Sequence, residues 1–436
     1  MISRQVFREW ERPRTIQAEA LSDSEQALAR KLRESGRLSV SETRQGFEVA
    51  TTSWVGRIVL GGVEISIQPK IKAAPLVQLL RYAFGLERLS LIGHVPFSTE
   101  AYAFQDILGQ QLALEVARLI ARGLHREYRV HKAELSSLRG RVLFDELART
   151  QSSARAAIPC RYFERTEHNA LNAALRAGLR LAAQLVASLD LAQELKRLSV
   201  LIEVGAQPLT RELLAGARAQ VDRRSRHYEP LLDLIEILRD GAGVSMDDGE
   251  RRLELPGFLF DMNRFFQALV SRLLNEHLED CEVLDERRLQ PMFRYASNVP
   301  RRNAPVLRPD FTIRSVQGRP RATLDAKYRD LWEMSLPAHM LYQLALYAQA
   351  DSRRAAAIIY PSLQDRPDQE IRMSDPGTKE ERARIYLRAL DLENLRRQVE
   401  TTPGAMQRRE LAVIARRVAF GESAELRAPS HVVRMA

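Results

Sequence analysis

Apolar and polar residues alternate near the start of the chain. Over residues 63–68 the alternation has a period of two, which predicts a half-buried strand. Two runs rich in β-branched and aromatic residues predict further strands over 47–50 and 54–60. Gly61-Gly62 separates the predicted strand over 54–60 from the one over 63–68 and is a hairpin-turn signal. The chain is therefore predicted to begin with a β-rich region.

From about Leu76 to Leu238 the spacing of apolar residues changes to one that is typical of helices. Apolar residues recur there at intervals of three and four, which predicts amphipathic helices. Two such stripes are formed by Leu76, Leu79, Leu80 and Ala83 and by Leu108, Leu112, Val116 and Leu119. A helix pair is predicted over 169–201. The Gly- and Asp-rich segment 240–249 predicts a loop and a domain boundary.

Beyond that loop, helices and strands are predicted to alternate. The predicted order is a helix over 261–278, a strand near Val283, hairpin strands within 306–316 and 321–328, a helix over 338–350 and a strand over 354–361. Later patterns predict a strand over 384–392 and a helix over 407–418. We therefore expect three regions: a β-rich N-terminal domain over 1–95, a mainly helical region over 96–245, and an α/β domain over 250–436.

The composition is typical of a globular protein with more than one core. The chain has 436 residues, of which 45% are hydrophobic and 28% charged. No apolar run approaches the ~18 residues that span a bilayer. The N-terminus has no apolar secretion signal, so we expect no membrane segment and a cytoplasmic location. The two cysteines, Cys160 and Cys281, predict neither a disulfide framework nor a zinc site.

The charge distribution favours a polyanionic partner. The formal net charge is +10, and residues 281–330 contain 11 Arg and Lys against 6 Asp and Glu, so half of the excess lies in this short segment. A solvated basic face would produce the same count. Charge alone therefore leaves open whether the partner is a nucleic acid.

Two acidic residues and a lysine in the C-terminal region suggest metal-dependent chemistry. Asp310 follows Pro309, and Asp325 and Lys327 lie two residues apart in the second strand of the predicted hairpin. Because side chains in a strand alternate faces, Asp325 and Lys327 share one face, and strand pairing can bring Asp310 beside them. Converging carboxylates suit Mg²⁺, and a neighbouring ammonium suits phosphodiester hydrolysis.

Together with the helix that follows, these residues resemble the PD-(D/E)xK nuclease superfamily. That helix contains Gln343 and Tyr347, one turn apart on one face, as in a branch with a Gln-x-x-x-Tyr helix. The resemblance implies that Asp310, Asp325 and the backbone carbonyl of Ala326 bind Mg²⁺, that Lys327 is catalytic, and that Gln343 and Tyr347 support the site.

The first helix departs from that superfamily pattern. Many members carry a metal-binding Glu on this helix, whereas the corresponding residue here is Gln267. An amide oxygen is a weaker, uncharged ligand. Gln267 is therefore expected to support the site, and Glu276 and Glu279, near the end of the helix, are alternatives for the missing carboxylate.

The N-terminal half resembles McrC, the nuclease subunit of McrBC-type modification-dependent restriction systems. The similar segments occur in the same order, at 55–62, 67–71, 79–83, 123–128, 138–141, 160–166 with Asn169 and Asn172, and 227–231. The resemblance implies an α+β N-terminal half, β-rich at first and then helical, followed by an α/β restriction-endonuclease-like domain. It also implies a Mg²⁺-dependent DNA endonuclease that binds double-stranded DNA and stimulates a separate McrB-like AAA+ GTPase hexamer. Arg139 and Arg141 are the residues that we assign to partner contact.

Other functions remain open from the sequence. The C-terminal domain could be a degenerate nuclease that serves as an adaptor for the AAA+ ring, which Gln267 favours and the intact Asp310, Asp325 and Lys327 oppose. A stand-alone DNA repair nuclease is a third reading. The sequence has no G-x-x-x-x-G-K-[S/T] motif, so we do not expect the chain itself to hydrolyse GTP or ATP. Because one site cuts one strand, double-strand cleavage favours a dimer of the nuclease domain.

Overall fold

The computed structural model describes residues 3–44, 46–71, 73–85, 104–149, 157–242, 257–295, 304–329, 331–332, 334–401 and 404–421. The predicted loop 240–249 lies outside the described residues from residue 243 onward. The strands are β1 (Ser3–Arg8), β2 (Arg14–Ile16), β3 (Leu38–Thr43), β4 (Gly46–Thr51), β5 (Trp54–Leu60), β6 (Val63–Gln68), β7 (Glu127–Leu135), β8 (Arg141–Val142), β9 (Ile158–Thr166), β10 (Gly257–Asp261), β11 (Cys281–Asp285), β12 (Phe311–Ser315), β13 (Pro320–Ala326), β14 (Ala355–Ser362), β15 (Gln369–Ser374) and β16 (Glu381–Asp391).

The α-helices are α1 (Asp23–Glu34), α2 (Ala73–Ala83), α3 (Phe104–Arg122), α4 (Phe144–Arg149), α5 (Ala170–Leu185), α6 (Leu189–Val200), α7 (Arg211–Ala219), α8 (Glu229–Ala242), α9 (Met262–His277), α10 (Ala338–Ala350), α11 (Leu392–Glu400) and α12 (Ala405–Phe420). None of the helices in the described ranges is both long enough and apolar enough to cross a membrane.

The chain divides into two compact units, each made of non-contiguous segments. Unit 1 comprises Met1–Arg4, Gly56–Ser66 and Leu89–Phe260, and unit 2 comprises Gln5–Val55, Ile67–Arg88 and Asp261–Ala436. Most of the N-terminal 55 residues therefore group with the C-terminal part of the chain. The three contiguous regions expected from the sequence stay a prediction.

The predicted N-terminal hairpin is confirmed. Gly61 and Gly62 join β5 to β6 with positive φ values of 53° and 71°. Two consecutive left-handed residues are what a type I′ hairpin turn requires, and glycine adopts them without a steric penalty. These strands belong to a four-stranded sheet with the order β1-β6-β5-β10.

Unit 1 contains a helical cluster, as predicted, and a sheet that the sequence analysis missed. The predicted helix pair over 169–201 is confirmed as α5 and α6. However, in a region expected to be mainly helical, three strands form an antiparallel sheet with the order β7-β9-β8. Charged residues are interspersed along β7 and β9, and of their side chains only those of Pro159 and Cys160 are buried, so no continuous buried apolar face marked these strands in the sequence.

A buried hydrogen-bond network connects the helical cluster of unit 1. The hydroxyl of Tyr228 donates to Oδ1 of Asn172 at 2.8 Å and accepts from the backbone N–H of His125 at 2.8 Å. The side-chain amide of Asn172 donates in turn to the carbonyl of His125. Because buried polar groups are costly without partners, these reciprocal bonds fix how the chain enters β7.

Unit 2 is built on a six-stranded mixed sheet. Its order is β11-β12-β13-β14-β16-β15, with parallel pairing among β13, β14 and β16 and antiparallel pairing elsewhere. Helix α10 contributes buried Leu344 and Tyr347 to a core shared with Ile358 and Ile385 of the sheet. The order helix, three strands, helix, strand is confirmed by α9, β11, β12, β13, α10 and β14, and the later predictions by β16 and α12.

Candidate active site

The pairing of β12 with β13 places Asp310 next to Asp325. The strands are antiparallel and Phe311 pairs with Leu324, so the residue before β12 lies opposite the residue after Leu324. The backbone N–H of Ala326 donates to Oδ2 of Asp310 at 2.8 Å and fixes that carboxylate. The predicted convergence of the two acidic residues is confirmed.

Lys327 contacts both carboxylates. Its Nζ lies 2.8 Å from Oδ2 of Asp325 and 3.5 Å from Oδ2 of Asp310. The backbone N–H of Lys327 donates to the carbonyl of Ile359 at 2.9 Å, which continues the pairing of β13 with β14 by one residue and sets the direction of the side chain. Two acids and one ammonium thus meet at the end of β13.

Burial and charge shift the acidity of this cluster. Burial raises the pKa of Asp325 to about 6, and the nearby charge of Asp310 adds to the increase. Burial alone would lower the pKa of Lys327, but the charges of Asp325 and Asp310 outweigh it and raise that pKa. The ammonium is therefore retained at neutral pH, and the carboxylates repel each other when both are ionised.

Gln267 reaches the cluster from α9. Its Nε2 donates to Oδ1 of Asp310 at 3.3 Å and to Oε1 of Glu286 at 3.4 Å. Gln267 therefore lies where a third acidic residue was expected. Glu276 is instead engaged by Arg272 within α9, with Nε of Arg272 donating to it at 2.8 Å, and no contact brings it to Asp310 among the described residues. The structure likewise records no contact between Glu279 and the site within the described chain.

Glu286 is a site-adjacent residue that the sequence analysis missed. It follows β11 with a left-handed φ of 49°, and its backbone N–H donates to the carbonyl of Asp310 at 2.8 Å. Its carboxylate pairs with the guanidinium of Arg308. No local motif marks Glu286, because its position depends on the pairing of β11 with β12.

Gln343 and Tyr347 hold the backbone that leads into Asp310. Nε2 of Gln343 donates to the hydroxyl of Tyr347 at 2.6 Å, and that hydroxyl donates to the carbonyl of Arg308 at 3.0 Å. The two residues share one face of α10, as predicted, and their contacts end two residues before Asp310. This arrangement can fix the position of the Asp310 carboxylate.

The donor set fits Mg²⁺ better than a transition metal. In the described part of the chain, no group of three or more His, Cys, Asp or Glu side chains converges as a metal site. Mg²⁺ prefers oxygen ligands, keeps several waters and needs only one or two carboxylates. Asp310 and Asp325 meet that requirement, and a divalent cation would relieve the repulsion by Asp310 that adds to the effect of burial on the pKa of Asp325.

Comparison with known proteins identifies the family. Residues 49–361 match the model of the family described as McrBC 5-methylcytosine restriction system component. The chain belongs to the McrBC family. No curated protein matches the chain.

The fold of this McrBC family member occurs in a solved structure. It matches a chain of the half-complex from a tetradecameric assembly of Thermococcus gammatolerans McrB AAA+ hexamers with bound McrC, with 18% identity, 94% of this chain and 99% of that chain covered, and a TM-score of 0.64. A chain of the cryo-EM structure of the Thermococcus gammatolerans McrBC complex matches with 17% identity, 63% and 88% coverage, and a TM-score of 0.44. The family match confirms the predicted relationship to the McrBC family, and the first of these structures shows the same fold.

Arg139 and Arg141 of this McrBC family member lie in unit 1 and flank Gly140. The guanidinium of Arg139 lies 4.1 Å from the ring centroid of Tyr162, and Arg141 is exposed in β8. Gly140 has a φ of 68°, and a Cβ there would lie 2.4 Å from the carbonyl oxygen of Arg161, so the turn requires glycine. The same sheet exposes Tyr128 and Phe163, and Leu138 and Phe144, which flank β8 in the chain, are exposed as well.

Proposed function

We propose that this chain is the nuclease subunit of a McrBC-like restriction system, a Mg²⁺-dependent endodeoxyribonuclease that works with a separate AAA+ GTPase. The observation that carries the proposal is the contact of Lys327 with both Asp310 and Asp325 at the adjoining ends of two paired strands. Family membership supports it. The order of α9, β11, β12, β13, α10 and β14 supports a PD-(D/E)xK nuclease fold in unit 2.

Each residue of the cluster has a distinct chemical role in this proposal. Asp310 and Asp325, with the backbone carbonyl of Ala326, hold Mg²⁺, and Gln267 steadies Asp310 through its amide. When bound, Mg²⁺ supplies Lewis acidity, which makes water a better nucleophile and offsets charge on the phosphate. Lys327 orients the attacking water and donates to the phosphate oxygen on which negative charge develops. Gln343 and Tyr347 keep the strand entry in place.

The substrate in this proposal is double-stranded DNA that contains a modified cytosine. The net charge of +10 and the arginines of the segment 281–330 support binding to the phosphate backbone. The description of the family names 5-methylcytosine, and we assign the reading of that base to the partner. Two copies of the nuclease would cut the two strands.

The proposed partner is a McrB-like AAA+ hexamer, since the similar solved structure contains McrB AAA+ hexamers with bound McrC. The sheet β7-β9-β8 of unit 1 suits such a contact, because it combines exposed aromatic residues with Arg139 and Arg141. Aromatic and arginine side chains often supply most of the binding energy of an interface. In this arrangement the chain stimulates nucleotide hydrolysis by the partner, which supplies energy for translocation.

Reconstitution tests the proposal. The purified chain, a McrB-like AAA+ protein, GTP or ATP, and Mg²⁺ are incubated with plasmid DNA with or without 5-methylcytosine. We expect cleavage of the methylated plasmid alone, and no cleavage when the partner, the nucleotide or Mg²⁺ is omitted. An Asp325→Asn chain is the matched control, because it keeps the side-chain shape and removes the charge. Cleavage at the same rate by this variant would refute the assigned site.

One observation favours a second candidate, an adaptor that activates the AAA+ ring without cutting DNA. Gln267 presents its N–H group, not a carboxylate, toward Asp310. The adaptor predicts full stimulation of the partner GTPase and no cleavage under any metal condition, including Mn²⁺. A stand-alone repair nuclease has no such observation in its favour.

A further inference from the structure

A cavity lies at the carboxyl ends of the parallel strands of unit 2. It has a volume of about 230 Å³. Its wall includes residues that follow β13, β14 and β16, namely Tyr328, Arg329, Leu363, Gln364 and Leu392. In open α/β sheets, ligands bind outside the carboxyl ends of the strands. The cavity therefore lies where this kind of sheet binds ligands, and the cleavage chemistry assigned above does not use it.

A buried carboxylate in the wall of the cavity lacks one partner. Glu9 is 1% exposed, and its Oε1 accepts hydrogen bonds from the backbone N–H of Lys70 at 2.6 Å and the hydroxyl of Tyr328 at 2.9 Å. Its Oε2 is buried and has no hydrogen-bond partner within the described part of the chain. A buried acceptor without a donor is costly when the carboxylate is ionised, so a ligand that brings a donor would stabilise that form.

Aromatic rings and cations share the cavity with Glu9. Trp10 and Trp332 both line it. The guanidinium of Arg329 lies 5.0 Å from the ring centroid of Trp10, and that of Arg366 lies 4.8 Å from that of Trp332. The indole N–H of Trp10 donates to the carbonyl of Tyr328 at 3.2 Å and holds that ring in place. Flat aromatic and guanidinium groups of this kind stack on nucleobases, and arginine also binds phosphate.

We propose that this cavity binds a single unpaired nucleotide, whose base donates an exocyclic amine to Oε2 of Glu9 and whose phosphate contacts Arg329 and Arg366. An apolar ligand would leave Oε2 without a donor. A simple anion likewise brings no donor for Oε2. A nucleotide satisfies both ends of the cavity, since it combines a planar donor with a phosphate. The volume of about 230 Å³ suits one base and is below the ~300 Å³ at which pockets for drug-sized ligands begin.

Two sources can supply this ligand. One is a nucleotide of a DNA strand that is no longer base-paired, and the other is a free nucleotide. Their recognition chemistry is the same, so the experiment compares a mononucleotide with a short oligonucleotide. Binding is measured without metal, partner or cleavage, so its outcome does not depend on the proposed nuclease function.

Tryptophan fluorescence reports on the cavity. The chain has three tryptophans, and Trp54 lies outside the cavity wall, so a Trp54→Phe background leaves only Trp10 and Trp332 as reporters. In EDTA at pH 8, above the raised pKa of about 7 of Glu9, the full-length protein is titrated with dCMP, with the pentanucleotides oligo-dC and oligo-dT, and with duplex DNA. We expect saturable quenching, with oligo-dC bound roughly tenfold more tightly than oligo-dT, because thymine has no exocyclic amine and one charge-assisted hydrogen bond is lost.

Two substitutions make the test specific. Arg366→Ala removes a phosphate contact and should weaken oligo-dC binding roughly tenfold. The matched control Arg372→Ala, an exposed arginine paired with Glu370, should leave binding unchanged. Glu9→Gln keeps an oxygen for Lys70 and Tyr328 and places an N–H donor at the position of Oε2, so the preference should reverse toward thymine, whose keto oxygen accepts. If circular dichroism shows that Glu9→Gln does not fold, the proposal is tested by comparing the oligo-dC affinity of Arg366→Ala with that of Arg372→Ala.

The binding results distinguish the two sources of the ligand and can also overturn the proposal. Tighter binding of the oligonucleotide than of dCMP supports a DNA strand as the ligand, and equal binding supports a free nucleotide. Absence of saturable quenching by every probe overturns the proposal. So does an unchanged ratio of oligo-dC to oligo-dT affinity in folded Glu9→Gln, or equal weakening by Arg366→Ala and Arg372→Ala.

Discussion

Replacing Lys327 with alanine tests the proposed division of roles in the catalytic cluster. The ammonium lies 2.8 Å from Asp325 and 3.5 Å from Asp310, and in the proposal it also faces the phosphate. At an effective dielectric constant of ~20, a unit charge pair at such distances attracts by roughly 5–6 kcal/mol before desolvation is subtracted. Loss of one preorganised donor typically raises the barrier by about 2.7–4 kcal/mol, which is about 10²–10³ in rate. We therefore expect Lys327→Ala to reduce cleavage by about 10²–10³.

Metal binding should respond in the opposite direction. Both carboxylates remain in Lys327→Ala, and the ammonium that competes for them is gone, so Mg²⁺ or Mn²⁺ should bind as tightly as before or slightly more tightly. Calorimetry measures that affinity, and a cleavage assay with the reconstituted system measures the rate. Lys327→Arg should restore little activity, because a planar guanidinium does not replace a compact ammonium.

Two controls show whether an effect of Lys327→Ala is specific to the site and not a result of unfolding. Lys31→Ala, which removes an exposed lysine from α1, should have no effect on either measurement. Thermal unfolding monitored by circular dichroism shows whether Lys327→Ala is folded. Cleavage by Lys327→Ala at the wild-type rate would mean that the catalytic site is wrongly placed. A large loss of metal affinity would mean that Lys327 contributes to metal binding, contrary to its assigned role.

Three further predictions concern the acids and the amide around this cluster and in the cavity. Asp310→Ala or Asp325→Ala should abolish DNA cleavage and leave stimulation of the partner GTPase intact, measured by phosphate release. Gln267→Glu should lower the Mg²⁺ concentration needed for half-maximal cleavage, because a carboxylate adds charge, and should destabilise the metal-free protein by roughly 1–3 kcal/mol, because the N–H donor to Asp310 and Glu286 is lost. Burial raises the pKa of Glu9 from 4.5 to about 7, so the folded state binds a proton that the unfolded state releases between these values, and stability attributable to Glu9 should fall as pH rises from 4.5 to 7. Glu9→Gln should remove that loss, which is at most about 3 kcal/mol, in urea unfolding measured at pH 5 and pH 8.

Each of these predictions has an outcome that would contradict it. Loss of both activities in folded Asp310→Ala would show that cleavage and stimulation are not separable. An unaltered Mg²⁺ titration in Gln267→Glu would place Gln267 in helix packing alone. A difference in stability between Glu9→Gln and wild type that is the same at pH 5 and pH 8 would mean that Glu9 titrates normally.

The sequence predicted elements with a regular apolar pattern and failed where partners are distant. The hairpin around Gly61-Gly62 and the helix α10 have clear periods, and both are confirmed. Strands β7 and β9 were missed because charged residues are interspersed along both and few of their side chains are buried, so neither strand shows the continuous apolar face that predicts a half-buried strand.

The candidate site shows the same contrast. Asp310, Asp325 and Lys327 were predicted to converge because one hairpin joins them, and their contacts are local to β12 and β13. Glu286 approaches through the pairing of β11, and Glu9 reaches Tyr328 across 319 positions of the chain. No local pattern encodes contacts of that range, so only the folded chain identifies them.

The interleaved composition of unit 2 has a consequence for the order of folding during synthesis. Residues Gln5–Val55 belong to the same compact unit as Asp261–Ala436, yet about 200 residues are made between these segments. At ~5–20 residues per second the ribosome needs roughly 10–40 s for that interval. Until residues 261–436 have been made, the first segment cannot complete its packing in unit 2. During that time Glu9 lacks the hydrogen bond from the hydroxyl of Tyr328. A nuclease half cut out at residue 250 would lack that segment permanently, so activity of such a fragment should depend on adding residues 5–55 back in trans.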